Sequence, residues 1–240
     1  METAAIVTGA SAGIGKAVCE QLLAAGKRVV ALDRRPTPLD HPMLHAVTVD
    51  LGDPAATLQA VEEVTGRFDV TTIVHNAGAM RPALLPDVRL ADLDALVNLH
   101  LATPILLAQA ALPAMTRAAF GRIVLVSSRA ALGLATRTVY AATKSGMIGM
   151  ARTWALELGA CGITVNVVAP GPIETDMFYE IVPSGSEKVA QIAQSIPVRR
   201  LGRPDDVARA VMFFAAPENG FVTGQVLYVC GGASIGSLVL

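Results

Sequence analysis

The sequence contains few charged and few aromatic residues, and this scarcity limits what the chain can be. Charged side chains account for 16% of the 240 residues and aromatic ones for 4%, whereas 52% of the residues are hydrophobic. Such a composition fills a sizeable core and excludes an intrinsically disordered chain. The formal net charge is -1, and no block rich in Lys or Arg occurs. We therefore expect neither a nucleic-acid partner nor an anionic membrane surface.

Cysteines and long apolar runs are also scarce. Cys19, Cys161 and Cys230 are odd in number and far apart, so they match no metal-ligand spacing and indicate a reducing compartment. We predict no metal site. The first apolar run begins at Ala4 and passes directly into glycines, which leaves no room for a signal peptide. No uninterrupted apolar stretch reaches the roughly 18 residues of a membrane span. These absences predict a soluble cytoplasmic protein.

Short apolar runs rich in β-branched residues recur along the chain and predict strands. Most are continuous rather than alternating, which is typical of strands buried on both faces. The predicted strands are residues 4–8, 28–32, 46–49, 72–75, 122–126, 164–168 and 226–229. The predicted helices are residues 13–25, 54–65, 90–119 with a break near Pro104, 138–159 and 204–216. This alternation predicts an α/β fold with a parallel sheet, helices on both faces, and a single domain over residues 1–240.

The connection between the second and third strands departs from the alternation. Residues 34–44 contain three prolines, which leave no room for a regular helix. We expect a tight loop there, which would open the sheet edge near the place where an adenine would lie.

The first predicted strand runs into T-G-A-S-A-G-I-G, residues 8–15, and then into a helix. Glycines permit a tight turn and a close approach of the backbone to a pyrophosphate, and the helix N-terminus offers free N–H groups. The same spacing also suits a glycine-rich turn without a ligand, but its place after the first strand favours a nucleotide. The predicted cofactor contacts here are Gly9, Ser11, Gly13, Ile14 and Gly15.

Asp33 ends the second predicted strand. A carboxylate at this place accepts hydrogen bonds from an adenosine ribose 2′-hydroxyl and repels a 2′-phosphate, which favours NAD over NADP. Arg34 and Arg35 follow directly and are able to pair with a phosphate, so NADP stays open as the less favoured cofactor.

These features, together with Y-A-A-T-K at 140–144, resemble the short-chain dehydrogenase/reductase family over nearly the whole chain. Each motif is weakly specific alone, whereas the ordered set is highly specific. The motifs are T-G-A-S-A-G-I-G (8–15), V-D-L (49–51), H-N-A-G (75–78), N-L (98–99), V-S-S (126–128), Y-A-A-T-K (140–144), N-V-V-A-P-G-P-I-E-T (166–175), R-L-G-R-P-D-D-V-A (200–208) and F-V-T-G-Q (221–225).

The resemblance implies a Rossmann-type, doubly wound parallel sheet of about seven strands and a nicotinamide dinucleotide as cofactor. It places Asn98, a serine, Tyr140 and Lys144 in the catalytic set. His75 stands where the family usually has an asparagine, and we interpret it as a packed strand-end residue. The further cofactor contacts that the resemblance implies are Asp50, Leu51, Asn76, Ala77, Gly78, Tyr140, Lys144, Pro170, Gly171, Ile173 and Thr175.

The resemblance leaves two serines open for the catalytic role. Counting forward from the start of the strand G-R-I-V-L-V-S-S points to Ser128, whereas counting back from Tyr140 by the family's usual spacing points to Ser127. Strand registers resist slipping and loops accept deletions, so we predict Ser128.

Tyr140 and Lys144 are four positions apart and therefore share one face of a helix. A free tyrosine has a pKa near 10, which is too high for a base at neutral pH. An ammonium about 4 Å away, at an effective dielectric near 20, attracts a phenolate by about 4 kcal/mol, or at most about 3 pKa units. We expect Lys144 to lower the pKa of Tyr140 in this way, the serine to polarise the substrate oxygen, and Asn98 to hold a water that relays protons.

We therefore expect an NAD(P)-dependent oxidoreductase that interconverts a secondary alcohol and a ketone, with Tyr140 as general acid and base. The alternative is an NADPH-dependent 3-oxoacyl carrier-protein reductase, and a remote one is a non-catalytic regulator that binds NAD(H). The apolar segment after Thr175 lies where the family keeps its substrate lid and predicts a small-molecule alcohol or ketone. The family usually forms homotetramers, and the apolar tail at residues 231–240 suits a subunit interface.

Overall fold

A computed structural model describes residues 1–235, and a seven-stranded parallel sheet runs through them. The strand order is β3-β2-β1-β4-β5-β6-β7, so the chain crosses over at β1 and builds outward in both directions. The predicted doubly wound sheet is confirmed. The last part of the predicted interface tail, residues 236–240, lies outside the described residues. The strands are β1 Glu2–Thr8, β2 Val29–Asp33, β3 Leu44–Thr48, β4 Phe68–His75, β5 Gly121–Val126, β6 Ile163–Pro170 and β7 Val226–Val229.

Eight α-helices accompany this sheet in the described part of the chain. All five predicted helical regions are present, and two short helices follow β6 in the segment predicted to be a lid. The helices are α1 Gly13–Ala24, α2 Pro54–Arg67, α3 Leu90–Val97, α4 Thr103–Ala118, α5 Thr138–Leu158, α6 Asp176–Tyr179, α7 Glu187–Ser195 and α8 Pro204–Ala215. As expected, no helix connects β2 to β3, because prolines occupy that connection.

The central strands separate two hydrophobic cores, one on each face of the sheet. Successive residues of a strand point to opposite faces, so Ile6 joins one core and Val7 the other. Ile123 and Val124 of β5 divide in the same way. Helices α2, α4 and α5 cover the first core, and α1 and α8 cover the second. This two-sided burial explains why the strands appear in the sequence as continuous apolar runs.

The break in the predicted helix 90–119 is not at Pro104. A π-helical turn at Asn98–Ala102 separates α3 from α4, and Pro104 lies in the first turn of α4. Proline is tolerated there because the first N–H groups of a helix have no intrahelical partner. The interruption instead falls at Asn98, a predicted catalytic residue, and π turns in proteins are frequent at functional sites.

The continuous helical segment Leu90–Ala118 is long and apolar enough, by length and composition alone, to cross a membrane. Leu107, Ala111 and Met115 on this segment are fully buried against the sheet. The core helix of a soluble protein satisfies the same criterion of length and hydropathy.

Candidate functional site

The carboxyl ends of the central parallel strands bring the predicted site residues to one edge of the sheet. The glycine turn follows β1, Asn76–Gly78 follow β4, the two serines follow β5, and Gly171–Thr175 follow β6. Ligand sites of open α/β sheets lie at this edge, at the point where the strand order reverses. The reversal here lies between β1 and β4, next to the glycine turn.

The glycine turn is a tight cradle that no larger residue would fit. A Cβ on Gly15 would lie 2.0 Å from the Gly9 carbonyl oxygen, and one on Gly9 would lie 2.9 Å from the Ala77 Cα. Gly9 and Gly13 also have φ angles of 65° and 52°, which favour glycine. Helix α1 starts without a side-chain cap and without an acidic residue in its first turn, which leaves its N–H groups and positive dipole end available for a phosphate.

Asn76 and Thr8 hold this turn in place. The Asn76 side-chain amide donates to the Thr8 and Gly9 carbonyl oxygens at 3.2 and 3.1 Å. The Thr8 hydroxyl accepts from the backbone N–H groups of Asn76 and Ala77 at 3.0 and 2.9 Å. With both acceptor directions taken, the Thr8 hydroxyl donates its own proton to His75 Nδ1 at 3.0 Å. Asn76 thereby braces the ends of β1 and β4.

His75 is completely buried, in agreement with our interpretation of a packed strand-end residue. Because its Nδ1 accepts from Thr8, the proton of the neutral ring lies on Nε2. Burial and, to a smaller extent, the nearby Lys144 charge lower the pKa of His75 to about 3, and the Leu99 backbone opposes this only in part. His75 is therefore a neutral structural member of the network that fixes the glycine turn.

Asp33 lies at the end of β2, where an adenosine ribose would meet it. Its carboxylate accepts from the backbone N–H groups of Ser11 and Arg35 at 2.9 and 3.0 Å, and the Ser11 hydroxyl donates to the Arg35 carbonyl oxygen at 2.7 Å. These bonds fix the carboxylate at the edge of the glycine turn. The Arg35 guanidinium points instead toward Asp176, 4.0 Å away in α6.

The remaining predicted cofactor contacts lie at two ends of the carboxyl edge of the sheet, after β3 and after β6. Asp50 is exposed, whereas the Leu51 side chain is buried in the core and its carbonyl oxygen accepts from the Thr103 hydroxyl at 2.7 Å. Asp50 is thus the accessible member of that pair. At the other end, the Thr175 methyl lies 3.1 Å from a Cβ built on Gly13, so the base of the lid packs beside the glycine turn. Ile173 is buried, and Gly171 packs against Cys230 so closely that a Cβ there would lie 2.7 Å from the cysteine Cβ.

Tyr140 and Lys144 lie on one face of α5, directed toward the end of β5, and both are buried. The Lys144 ammonium lies 5.7 Å from the centre of the Tyr140 ring and donates to the Val126 carbonyl oxygen at 2.8 Å. A Cβ built on Gly78 would lie 3.5 Å from Lys144 Nζ, so the glycine leaves room for the lysine. Small residues at this place therefore let three strand ends approach one pair of side chains.

The expectation that Lys144 lowers the pKa of Tyr140 is wrong for this structure. Burial raises the pKa of the phenol, and the Ser128 hydroxyl and the Arg137 charge oppose that rise only in part. Burial also lowers the pKa of Lys144 to about 7. The sequence argument assumed a fully charged lysine about 4 Å from the hydroxyl, but desolvation disfavours the charged form of both groups. At neutral pH, Tyr140 is protonated and Lys144 is close to its titration midpoint.

The two serines after β5 differ in what they contact. The Ser127 hydroxyl is buried and donates to the Lys144 carbonyl oxygen at 2.7 Å, which ties α5 to the sheet. Ser128 is partly exposed, and its hydroxyl accepts from the Ala130 N–H at 3.1 Å. Hydrogen bonding by this hydroxyl also lowers the pKa of the Tyr140 phenol, against the larger effect of burial. This geometry favours Ser128 as the serine that meets a substrate oxygen.

His100 is a site residue that our sequence reasoning missed. It lies in the π turn two residues after Asn98, and its ring packs edge-on against Tyr140 with centroids 5.7 Å apart. His100 Nδ1 bonds to the Thr143 hydroxyl at 2.8 Å, and His100 Nε2 accepts from the Ala79 N–H at 3.3 Å. The ring thereby joins the π turn, α5 and the loop after β4. The only signal in the sequence was a histidine within an otherwise apolar helical pattern.

Comparison with known proteins supports the resemblance seen in the sequence. A family model described as enoyl-(acyl carrier protein) reductase matches residues 9–234. The chain is 40% identical, over 96% of both sequences, to the (2S)-((R)-hydroxy(phenyl)methyl)succinyl-CoA dehydrogenase subunit BbsD of Thauera aromatica. It is 38% identical to the 3-oxoacyl-(acyl-carrier-protein) reductase FabG of Thermotoga maritima, over 96% of this chain and 97% of that one.

A solved structure of a protein described as a short chain dehydrogenase/reductase family protein has the same architecture. It is 32% identical in sequence, the comparison covers 98% of each chain, and the TM-score is 0.86.

Proposed function

Because the chain belongs to the short-chain dehydrogenase/reductase family of NAD(P)-dependent oxidoreductases, we propose that Tyr140, Lys144 and Ser128 interconvert a secondary alcohol and a ketone at the carboxyl edge of the sheet. The observation that carries this proposal is the meeting of Tyr140 and Lys144 on α5 with the strand-end serines, opposite the glycine turn. A bound nicotinamide would supply the hydride donor or acceptor. The protein positions the substrate and moves the proton.

Tyr140 acts as general acid and base at the substrate oxygen. Its raised pKa keeps the hydroxyl protonated at neutral pH, which is the form that donates a proton to a ketone oxygen during reduction. Alcohol oxidation needs the phenolate, so the oxidation rate rises with pH as Tyr140 loses its proton. Lys144 favours the phenolate when it is charged. Its pKa of about 7 lets it take up and release a proton near neutrality.

Ser128 donates a hydrogen bond to the substrate oxygen and stabilises the charge that develops there. Asn98 stands at the start of the π turn, in the element that also holds His100 against Tyr140. We assign Asn98 to a water-mediated relay that connects Lys144 with solvent. His100 is a positioning residue, because its two ring nitrogens bond to Thr143 and Ala79.

NAD is the proposed cofactor. The residues present fit a dinucleotide, since Gly9 and Gly15 leave no space for a Cβ in the turn and α1 has an uncapped N-terminus. The predicted contacts would hold the phosphates at this turn, the adenine at Asp50 and Leu51, and the nicotinamide along Pro170–Thr175. The Asp33 carboxylate, fixed by Ser11 and Arg35, is the feature that disfavours a 2′-phosphate.

The substrate is a small alcohol or ketone that enters beneath the lid formed by α6 and α7. Phe178 and Tyr179 pack edge-on with ring centroids 5.3 Å apart, and Val182 is buried, so the lid has its own apolar anchor. An acyl thioester on a carrier is the second candidate. The similarity to FabG, which is named as a 3-oxoacyl-(acyl-carrier-protein) reductase, favours this candidate.

We further propose that the enzyme is a cytoplasmic homotetramer, with no nucleic-acid or membrane partner. Leu156 of α5 is 87% exposed, and Phe221 is fully exposed. Large exposed apolar side chains of this kind favour burial between subunits. Light scattering coupled to gel filtration measures the mass directly, and a monomer would contradict this assignment.

Initial-rate measurements test the proposed function. Secondary alcohols are assayed with NAD⁺ and NADP⁺, and ketones and 3-oxoacyl thioesters with NADH and NADPH. We expect turnover with NAD(H) on at least one alcohol–ketone pair. Binding of NADH without turnover of any substrate would instead favour a non-catalytic regulator. Preferred use of NADPH on 3-oxoacyl thioesters would favour the carrier-protein reductase.

A further inference from the structure

Two arginines are buried in the described part of the chain, and among residues 1–235 only Arg122 finds several acceptors for its guanidinium. Arg122 is 3% exposed, donates to the carbonyl oxygens of Ala216, Gly121, Gly162 and Pro217, and lies over the Phe120 ring. Its role is structural, because the guanidinium is almost surrounded by acceptors. It shows how this fold compensates a buried positive charge.

Arg137 is 8% exposed and lacks such partners. The only hydrogen bonds of its side chain within residues 1–235 run from Nη1 to the carbonyl and hydroxyl oxygens of the adjacent Thr136. No ion pair among those residues includes it. A guanidinium carries five N–H donors and stays charged, so most of its hydrogen-bonding capacity is free. Burying an unpaired charge is costly unless a partner is supplied.

The position of Arg137 places any group that pairs with its guanidinium close to Tyr140. Arg137 is the N-cap residue of α5 and stands three positions before Tyr140, so the two residues are about one helical turn apart along the chain. Its charge is close enough to lower the pKa of the Tyr140 phenol. A group that pairs with Arg137 is therefore part of the molecule whose oxygen meets Tyr140.

The surroundings of Arg137 are apolar. The Ala83 N–H donates to the Thr136 carbonyl oxygen at 3.0 Å, which brings the loop after β4 beside the start of α5. Leu84 and Leu85 in that loop are 61% and 75% exposed, and Leu134 is 46% exposed. A loop with exposed leucines thus lies beside the start of α5, where Arg137 is buried.

We propose that Arg137 binds a carboxylate of the substrate, so that the enzyme acts on hydroxy acids and oxo acids. This inference rests on the proposed function and narrows its substrate class. A planar carboxylate matches the fork of the guanidinium donors. The single helical turn between Arg137 and Tyr140 sets the carboxylate only a few bonds from the reacting carbon. The phosphates of a carrier arm lie many bonds further away, so the anion belongs to the acyl part of the substrate.

Binding of butyrate and of its uncharged amide, butyramide, tests this without turnover. Both are titrated by ligand-observed NMR into the protein saturated with NAD⁺, using wild type, Arg137→Leu and Arg137→Lys. Arg81→Leu is the matched control, because Arg81 lies in the facing loop but pairs with Asp92 at 3.4 Å. We expect butyrate to bind wild type at least about 10-fold more tightly than Arg137→Leu, as for a hydrogen-bonded charged pair. Butyramide should bind wild type and Arg137→Leu with the same affinity. The affinity of Arg137→Lys for butyrate should be intermediate, and that of Arg81→Leu should resemble wild type.

Equal affinity of wild type for butyrate and butyramide would overturn the proposal. An equal loss of affinity for both ligands in Arg137→Leu would also overturn it. Thermal unfolding gives a second readout. Removing an unpaired buried charge should leave the Tm of Arg137→Leu at or above that of wild type, whereas a large fall would mark Arg137 as structural. If wild type binds butyrate through Arg137 but oxidises no alcohol, the proposed function fails and the anion site stands.

Discussion

Acid should destabilise this protein through His75, and the structure sets the size of the effect. The ring is fully buried, and burial lowers its pKa from 6.5 to about 3. In the unfolded chain the same group takes up a proton near its ordinary pKa of about 6.5. The unfolded state therefore binds more protons than the folded state between these two values. The contribution of neutral His75 to stability is fully present above about pH 6.5 and is lost as the pH falls toward 3.

Each pH unit within that window costs about 1.4 kcal/mol for one proton. Between about pH 7.5 and pH 4.5, His75 alone should remove about 3 kcal/mol from the free energy of unfolding. Carboxylates also contribute to the pH dependence in this range, as does His100, whose pKa burial lowers strongly in the folded state, so the matched comparison is His75→Asn. Asparagine keeps an acceptor for the Thr8 hydroxyl but takes up no proton. The other titrating groups are common to both proteins, and their contributions cancel in the difference.

Urea unfolding followed by the fluorescence of Trp154, the sole tryptophan, measures both proteins across this pH range. Altered packing changes the free energy of unfolding of His75→Asn by an amount that does not depend on pH. The informative quantity is therefore how the difference in unfolding free energy between the two proteins changes with pH. We expect wild type to lose about 3 kcal/mol more than His75→Asn on acidification. A difference that stays constant from pH 7.5 to 4.5 would refute the assignment of a buried neutral histidine.

Two further substitutions test the site itself. Ser128→Ala should lower kcat by about 10²–10³-fold, as expected for the loss of an oxyanion-type donor, whereas Ser127→Ala should mainly cost about 1 kcal/mol of stability through the lost bond to the Lys144 carbonyl. Steady-state kinetics and urea unfolding separate the two, and the opposite pattern would make Ser127 the catalytic serine. Asp33→Ser should lower the ratio of kcat/KM for NAD to that for NADP by about 10–100-fold, because a carboxylate that binds the ribose hydroxyl is lost. An unchanged ratio would remove Asp33 from cofactor selection.

The sequence predicted the sheet well, because burial on both faces leaves a strong local signal. Strands β5 and β6 are rich in apolar residues and buried along their whole length, and their apolar residues divide between the two cores as alternation requires. The glycine turn was equally readable, since Gly9 and Gly15 stand where backbone or side-chain atoms occupy the space of a Cβ. Such positions admit no other residue type, so the pattern points directly to the geometry.

Features that depend on distant packing were not predictable. The helix break lies just before Pro104, close to the predicted place, but it is a π turn at which contacts with α5 and the loop after β4 meet, and no local pattern indicated that geometry. The pKa of Tyr140 rises because burial outweighs the nearby lysine, and burial is a property of the assembled fold. Arg137 stood in the sequence as an ordinary arginine before a helix. Only the folded chain shows that it is buried and that no carboxylate within residues 1–235 pairs with it.

The central claim is that the Tyr140 hydroxyl transfers the proton, and Tyr140→Phe tests it most directly. The change removes one oxygen and keeps the ring against His100. With the best substrate from the alcohol and ketone panel, kcat should fall by about 10²–10⁴-fold, the usual size of a general acid–base contribution. The Kd for NADH, from fluorescence titration, should stay near the wild-type value. Turnover close to wild type would contradict the assignment of Tyr140 as the catalytic acid and base.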